Sequence, residues 1–570
     1  MALSFVRFWK RIGKKAEAVH AQQMGTLRMW RISLVVLLSV FALTDGKTIY
    51  VDDDANGLNN GSSWVNAYKF LQDALADANS AQKPVEIRIG TGIYKPDRSS
   101  AEPNGTGDRQ ATFRLVNGVS VKGGYAGFGQ PDPNARDIDS YETNFSGDLE
   151  GNDDKERVYF WEPTRGENSY HVVTGSGTDV TAVLDGCTIT GGNANEPISY
   201  GGGMYNISGG PNLIECRFVG NSAAQGAGVY NWKSSPTFTR CYFAGNTAMG
   251  GAGVTNASSN PVFVECEFNL NGGNGMSNHR GSKVIVKACI FRDNIAYSGG
   301  GMYNEESNLT LIDCTFDNNQ AMYGGGFSYN TSSPEVIRCW FTRNYANVAG
   351  GGIANFHGDG TFSNCIIAFN EAPTGGGMSD DNNSNPSITN TTIYGNLAQE
   401  GGGIYNVNSS PVITNCILWA NVGMARFGES NQIYGGTPRV TYCCIFDWRG
   451  LGGPSNIGSD PLLSNPNNGD YHLKSQAGRW DANEGRWTKD DVTSSCIDAG
   501  NPASPIGLEP FPNGGIINMG AYGGTVEASK SYFGEPVCEM IIAGDINGDC
   551  KVNFFDFALM AHHWLDDHNP

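Results

Sequence analysis

At 570 residues the chain is too long for one ordinary compact core, and 77 glycines, about twice ordinary usage, with many asparagines argue against a mainly helical protein. A formal charge of −19 argues against nucleic acid, because a phosphate-binding surface needs clustered Lys and Arg. Cations and neutral polymers fit better as ligands.

Residues 1–45 read as an export leader. Ser33 to Leu43 is apolar and follows Arg28 and Arg31, giving the n-region and h-region of a secretory signal but not the length of a membrane span. The expectation is a secreted or cell-surface protein that is not an integral membrane protein. Met24 and Met29 are alternative starts, and no clean cleavage pattern marks the mature end.

Residues 46–175 are expected to form an N-terminal cap and the first strands. The segment opens with Tyr50 to Ala55, YVDDDA; Trp64, Tyr68, Leu71, Ala74, Leu75 and Ala78 then recur at helical spacing. A strand is expected at Val85 to Gly90. The helix is placed as a plug on the first coil, and the glycine-rich run Gly123 to Gly129 as a turn within the cap.

From 176 to 450 the chain repeats. Cys216, Cys241, Cys266, Cys289, Cys314, Cys339, Cys365, Thr391 and Cys416 stand at steps of 23 to 26 residues, a period that means a solenoid. Each unit has an apolar residue three before the cysteine, another two after it, and an asparagine five after it, from Asn221 to Asn421. A glycine cluster follows in most units, such as Gly299 to Gly301, where a sharp corner and close coil approach require it. The parity of apolar positions changes just before the cysteine, so a bend must lie there.

Three short strands and three corners use up about 25 residues, and parallel coils stacked at about 4.8 Å make nine units a column of roughly 43 Å. The expected fold is all-β, a right-handed parallel β-helix of about nine coils with two caps. Phenylalanines and cysteines belong inside, and the asparagines form amide ladders. The cysteines read as a column of buried thiols, because Thr391 fills one place without a partner; disulfides between adjacent coils are the alternative.

The units resemble the polymorphic outer membrane protein repeats of bacterial surface β-helices, with Phe218-Val-Gly-Asn221, Phe243-Ala-Gly-Asn246, Phe316-Asp-Asn-Asn319 and Phe341-Thr-Arg-Asn344 followed by Gly-Gly-aliphatic triplets. The resemblance implies the architecture. It leaves open adhesins, scaffolds, lyases and glycosidases.

Residues 451–532 read as a C-terminal cap, and 538–570 as a small α module around a calcium loop. Asp545, Asn547, Asp549, Asn553 and Asp556 hold positions 1, 3, 5, 9 and 12, with the Lys551 carbonyl at position 7, an oxygen set suited to Ca2+. This resembles a dockerin loop, which implies a cohesin-like partner. The chain departs from that family in carrying one loop rather than two, and in placing Cys550 where glycine makes the turn. Cys550 and Cys538 read equally well as a disulfide or as two free thiols.

Two columns depart from the repeat consensus. At the corner after the post-glycine asparagine lie Arg280, Glu305, Glu306, Asp380 and Asp381, the catalytic candidates if the chain is a polysaccharide lyase; Arg280 is the strong base nearby. After the cysteine lie Tyr242, Trp340, Tyr394 and Trp419, candidates for stacking on sugar rings. The plainer reading of both columns, which outweighs the functional one, is solvated turn and sheet surface. No metalloprotease, nucleophile-elbow or phosphate-loop motif supports another chemistry. The expected ligand is a polysaccharide or cell-surface glycan.

Overall fold

The computed structural model describes residues 46–154, 158–159, 161–195, 199–425, 427–534, 544, 550–554 and 556–558. Within them the chain is a parallel β-helix whose three long sheets contain 14, 13 and 12 strands. One representative coil shows how the sequence builds them. Met204–Ile207 forms the first strand, Asn212–Ile214 the second and Arg217–Val219 the third. Each pairs in parallel with its counterpart one unit later, Met204 with Val229, Leu213 with Phe238 and Phe218 with Phe243.

The expected bend has a backbone cause. Glu215, Arg240, Glu265, Ala288, Asp313 and Arg338, each one residue before a column cysteine, all take positive φ between 51° and 56°. One left-handed residue restarts the alternation, so Leu213 and Cys216 both face inward although three positions separate them. Positive φ is costly for residues with a Cβ. Its recurrence in every coil makes it a feature of the architecture and not a mark of a site.

Two columns fill the interior. The Phe218, Phe243, Phe268, Phe291, Phe316 and Phe341 rings stack with centroids 4.4 to 5.2 Å apart and planes within 10°. Each is fully buried, which contributes about 2–3 kcal/mol per ring. The cysteine column is made of free thiols and runs one coil further at each end than the repeat showed, from Cys187 to Cys443.

The asparagine ladder is directional. Asn246 Nδ2 donates to Phe218 O of the coil before at 2.8 Å and to Asn271 Oδ1 of the coil after at 3.1 Å. The same pattern continues to Asn421, whose Nδ2 donates to Gln432 Oε1 at 2.7 Å. Gln432, in the short helix Glu429–Gln432, closes the ladder in place of a further asparagine.

At the start, Lys47–Val51, Val85–Gly90 and Val119–Tyr125 already pair in parallel as coils. The helix occupies Leu71–Ser80, later than the spacing predicts, because Tyr68 is drawn into backbone pairing with Tyr50 and Asp52. Leu71, Ala74, Leu75 and Ala78 are buried against the first strands, as a plug requires. The Asp52 carboxylate receives Phe128 N–H at 2.7 Å. A Cβ on Gly127 would lie 2.2 Å from its Oδ2, so only glycine fits there.

The C-terminal cap folds back over the third sheet. Its docking explains a change in the repeat: the bend residue becomes asparagine in three successive coils. Asn364 Nδ2 donates to Ala521 O and Gly523 O at 2.9 and 2.8 Å, Asn390 Nδ2 to Asn518 O at 3.0 Å, and Asn415 Oδ1 accepts Asn501 N–H at 2.7 Å. Among the described residues no helix is long and apolar enough to cross a membrane.

Candidate functional site

On the first sheet the residue between the aliphatic core position and the ladder asparagine points outward. In successive coils it is Tyr205, Tyr230, Thr255, Ser277 and Tyr303. Between the large rings stand two small residues, Thr255 and Ser277, both buried. Two positions further on, Trp232, Ala257, His279 and Glu305 form the neighbouring column, with Ala257 again the small member. The result is a cleft of about 400 Å³ lined by Tyr200, Gln225, Tyr230, Ala257, His279, Arg280, Glu305 and Glu306.

Its aromatic wall is a stack. His171 lies on Tyr205 with centroids 4.5 Å apart at 6°, Tyr205 on Tyr230 at 6.0 Å and 13°, and Tyr200 leans on Tyr230 at 4.8 Å. Burial pushes the Tyr230 hydroxyl up to about 12, against the opposing charge of Arg280. The opposite wall holds Glu305 between two donors: His279 Nδ1 lies 3.2 Å from Oε2, and Tyr303 donates to Oε1 at 3.2 Å. Burial lowers the His279 imidazole below its ordinary value, and Glu305 opposes that shift.

Arg280 stands at a left-handed corner, φ 57°, with its Cζ 5.2 Å from the Trp232 ring centroid. It makes no ion pair among the described residues. That separates this cleft from the two larger ones. A groove of about 890 Å³ crosses the first coils of the third sheet, but there Arg217 pairs with Asp139, Arg240 with Glu215 at 2.9 Å and Arg165 with Asp153 at 2.8 Å. In the cleft of about 480 Å³ beneath the C-terminal cap, Arg338 is held by both oxygens of Asp313 at 2.6 and 2.9 Å. At Arg280 a guanidinium stands beside an aromatic ring without an ion pair among the described residues, in a cleft that Glu305 and Glu306 also line.

The predicted corner column is therefore divided. Arg280, Glu305 and Glu306 meet in the cleft. Asp381 aligns with Glu305 through Asn330 and Phe356, three coils away, about 14 Å. Asp380 is a correction: it is fully buried, pairs in register with Asn355 and Asn406, and accepts Asn355 Nδ2 at 2.9 Å. It takes an asparagine's place in a second inner ladder, where burial pushes its carboxyl up to about 7.

The aromatic column is corrected in the same way. Trp340 and Tyr394 pack edge-on against Tyr471 of the cap at 5.8 and 5.9 Å, and Trp419 packs on Phe446 at 5.0 Å. These rings seat the cap, because an outward apolar strip must be covered. Tyr242 lines the groove of about 890 Å³, with its hydroxyl accepting from Asn269 Nδ2 at 3.1 Å, and Trp340 also lines the cleft beneath the cap.

Of the calcium-loop set, Asp545, Asn547 and Asp549 lie outside the described residues, as does Cys538. Lys551 and Asn553 are exposed, Asp556 is buried, and Asn553 N–H donates to Asp556 Oδ2 at 2.8 Å. Cys550 takes φ 64°, the conformation glycine would supply at that turn, and is disulfide-bonded. Elsewhere, the carboxylates of Asp52, Asp53 and Asp54 lie within 4.8 Å of one another, but hydrogen bonds such as the one from Phe128 hold Asp52 in the turn.

The right handed beta helix region family matches residues 172–346, and the disaggregatase related family matches residues 443–500. No curated protein matches the chain. Among solved structures, pectate lyase Pel9A is 13% identical with a TM-score of 0.36, covering 84% of this chain and 97% of its own. The complex of XylC with xylose is 9% identical at 0.37, covering 73% and 87%, and a rhamnogalacturonan lyase is 10% identical at 0.28, covering 64% and 87%. These likenesses bear on no side chain of the cleft.

Proposed function

We propose that the protein is an exported binder of extracellular polysaccharide that takes its ligand in the Tyr230–Arg280 cleft. The observation that carries this reading is the Arg280 guanidinium, 5.2 Å from the Trp232 ring centroid and in no ion pair among the described residues, in a cleft walled by Tyr200 and Tyr230. Ring faces suit the apolar faces of pyranoses, and a free guanidinium suits a sugar carboxylate bidentately. Uronate-bearing chains are thus favoured over neutral ones.

The geometry supports binding more than turnover. Proton abstraction needs a base within hydrogen-bond reach of the substrate. Here Glu305 is engaged by His279 and Tyr303, and Asp380 is sealed in the core. The test is a panel of uronate-rich and neutral polysaccharides, read for retention of the protein and for the absorbance of unsaturated products. Retention on uronate-rich chains without new absorbance supports the reading; product formation makes the protein a lyase; no retention on any member removes the cleft from consideration.

The tail belongs to the same proposal. Asp545, Asn547, Asp549, the Lys551 carbonyl, Asn553 and Asp556 would hold Ca2+, and the left-handed turn at Cys550 supports a loop of that shape. A single loop-helix unit supports metal-stabilised folding of the tail more than docking of a cohesin-like partner.

A further inference from the structure

In the C-terminal cap the strand Asp470–Leu473 sets Asp470 and His472 on one face, because residues two apart in a strand point the same way. His472 Nδ1 lies 2.7 Å from Asp470 Oδ1, which also receives the His472 backbone N–H at 3.1 Å, while Asp470 Oδ2 accepts Arg479 Nη1 at 3.1 Å. Burial works to raise the Asp470 carboxyl, but the His472 ring and backbone N–H outweigh it and hold the group below its ordinary value. An ionised acceptor at Nδ1 keeps the ring proton there. The Nε2 lone pair is then the free end of the imidazole.

That end is buried without a hydrogen bond. His472 is 2% exposed, its ring lies on Tyr522 with centroids 3.6 Å apart at 16°, and its Nε2 has no hydrogen-bond partner. Opposite it, 3.5 Å away, stands Oε2 of the half-buried Glu527, whose N–H donates to Thr525 Oγ1 at 3.2 Å and so fixes the turn that presents it. Both residues line the cleft of about 480 Å³ beneath the cap, where the charged lining is Asp313, Asp470 and Glu527 against Arg338. The cleft favours a cation.

A nitrogen lone pair and a carboxylate oxygen repel one another unless a cation lies between them, and their separation distinguishes two kinds. A shared proton draws the two atoms to about 2.7–2.9 Å. A Zn2+ ion bound by each at about 2.0–2.1 Å keeps them about 3.3 Å apart at the tetrahedral angle. The observed 3.5 Å matches the second spacing. Asp470 on Nδ1 is also the outer contact that orients a metal-ligating imidazole.

We propose that His472 Nε2 and Glu527 Oε2 hold a divalent transition-metal ion of the Zn2+ type in the cleft beneath the C-terminal cap. Two protein ligands leave the remaining positions to water or to an anionic group entering the cleft. Imidazole ligation selects Zn2+, Cu2+ or Ni2+ over Ca2+, so the site differs in chemistry from the oxygen set proposed for the tail. It does not depend on the polysaccharide reading.

The full-length chain, saturated with Ca2+ and freed of other metals, is titrated with Zn2+ by calorimetry. Glu527→Gln should weaken one binding event roughly tenfold or more, whereas Asp313→Asn, which removes a charge from the same lining and no ligand, should change it little. Equal losses in the two variants would mean diffuse attraction to an acidic surface and would overturn the site. So would Zn2+ binding that neither variant alters, or no Zn2+ binding at all. With Cu2+ as the probe, the signal that Glu527→Gln removes from the electron paramagnetic resonance spectrum should carry nitrogen hyperfine splitting; oxygen-only ligation would exclude His472 and overturn the proposal.

Discussion

The Arg280 guanidinium lies 5.2 Å above the Trp232 ring centroid although the two residues are two coils apart. Only the small Ala257 separates their coils in that column, so the side chain can lean back across the gap. This contact holds a charged group at the cleft without neutralising it.

Arg280→Ala should therefore weaken retention on uronate-rich polysaccharide by about 10- to 100-fold, the range for loss of a charge-assisted hydrogen bond. Binding of neutral chains should change little. Arg280→Lys should recover only part of the loss, because an ammonium lacks the planar fork. Affinity electrophoresis of the three proteins reads both effects.

Asp380 predicts an inverted pH response. Its carboxyl is raised from 3.8 to about 7 by burial, so below pH 4 it is protonated in both folded and unfolded chains and imposes no penalty. Between about pH 4 and pH 7 the unfolded chain releases this proton while the folded chain keeps it, so stability is lost across that window and stays low above it. Asp380→Asn restores an amide to the ladder and should gain on the order of 3 kcal/mol at pH 9 and little at pH 4. Urea unfolding at the two pH values tests the difference.

Trp340→Ala should loosen the cap and leave glycan binding unchanged. The half-buried indole meets Tyr471, and its loss should cost about 3 kcal/mol at that contact. Limited proteolysis should then cut between residues 459 and 531 first. A variant that loses retention on polysaccharide while keeping its cap would return Trp340 to the sugar-binding set.

Calcium should protect residues 544–570 from proteolysis. Asp545→Ala and Asp556→Ala should each abolish that protection, whereas Lys551→Ala should keep it, because position 7 offers a carbonyl and not a side chain. Protection that ignores all three substitutions would mean that the tail holds no ion there.

Much of the coil was legible because a solenoid writes its contacts as a period. The bend before each cysteine followed from parity alone, and the structure supplies its cause in residues such as Glu215 and Arg240. Asp380 was misread by one position: it stands two residues after Met378, as Asn355 stands after Ile353, and that count assigns it to the inner ladder. The tyrosine wall was visible in the same frame, one residue after the aliphatic position, but alternation with Thr255 and Ser277 concealed it. The cap's landing site was legible only as a loss of consensus. The change from Arg338 to Asn364, Asn390 and Asn415 reflects contacts more than 80 residues away, which no local period records.

The asparagine ladder has a beginning and an end, yet nothing in a single coil says how many coils there are. Each amide asks only for an acceptor on the next coil, and Asn421 finds it in the longer arm of Gln432. Molecular length is thus decided at one terminating residue. Whole units of about 25 residues could be gained or lost upstream of Gln432 with every remaining coil meeting the same kind of neighbour, and the corners absorb smaller changes: the 23-residue step from Cys266 to Cys289 keeps all three sheets in register.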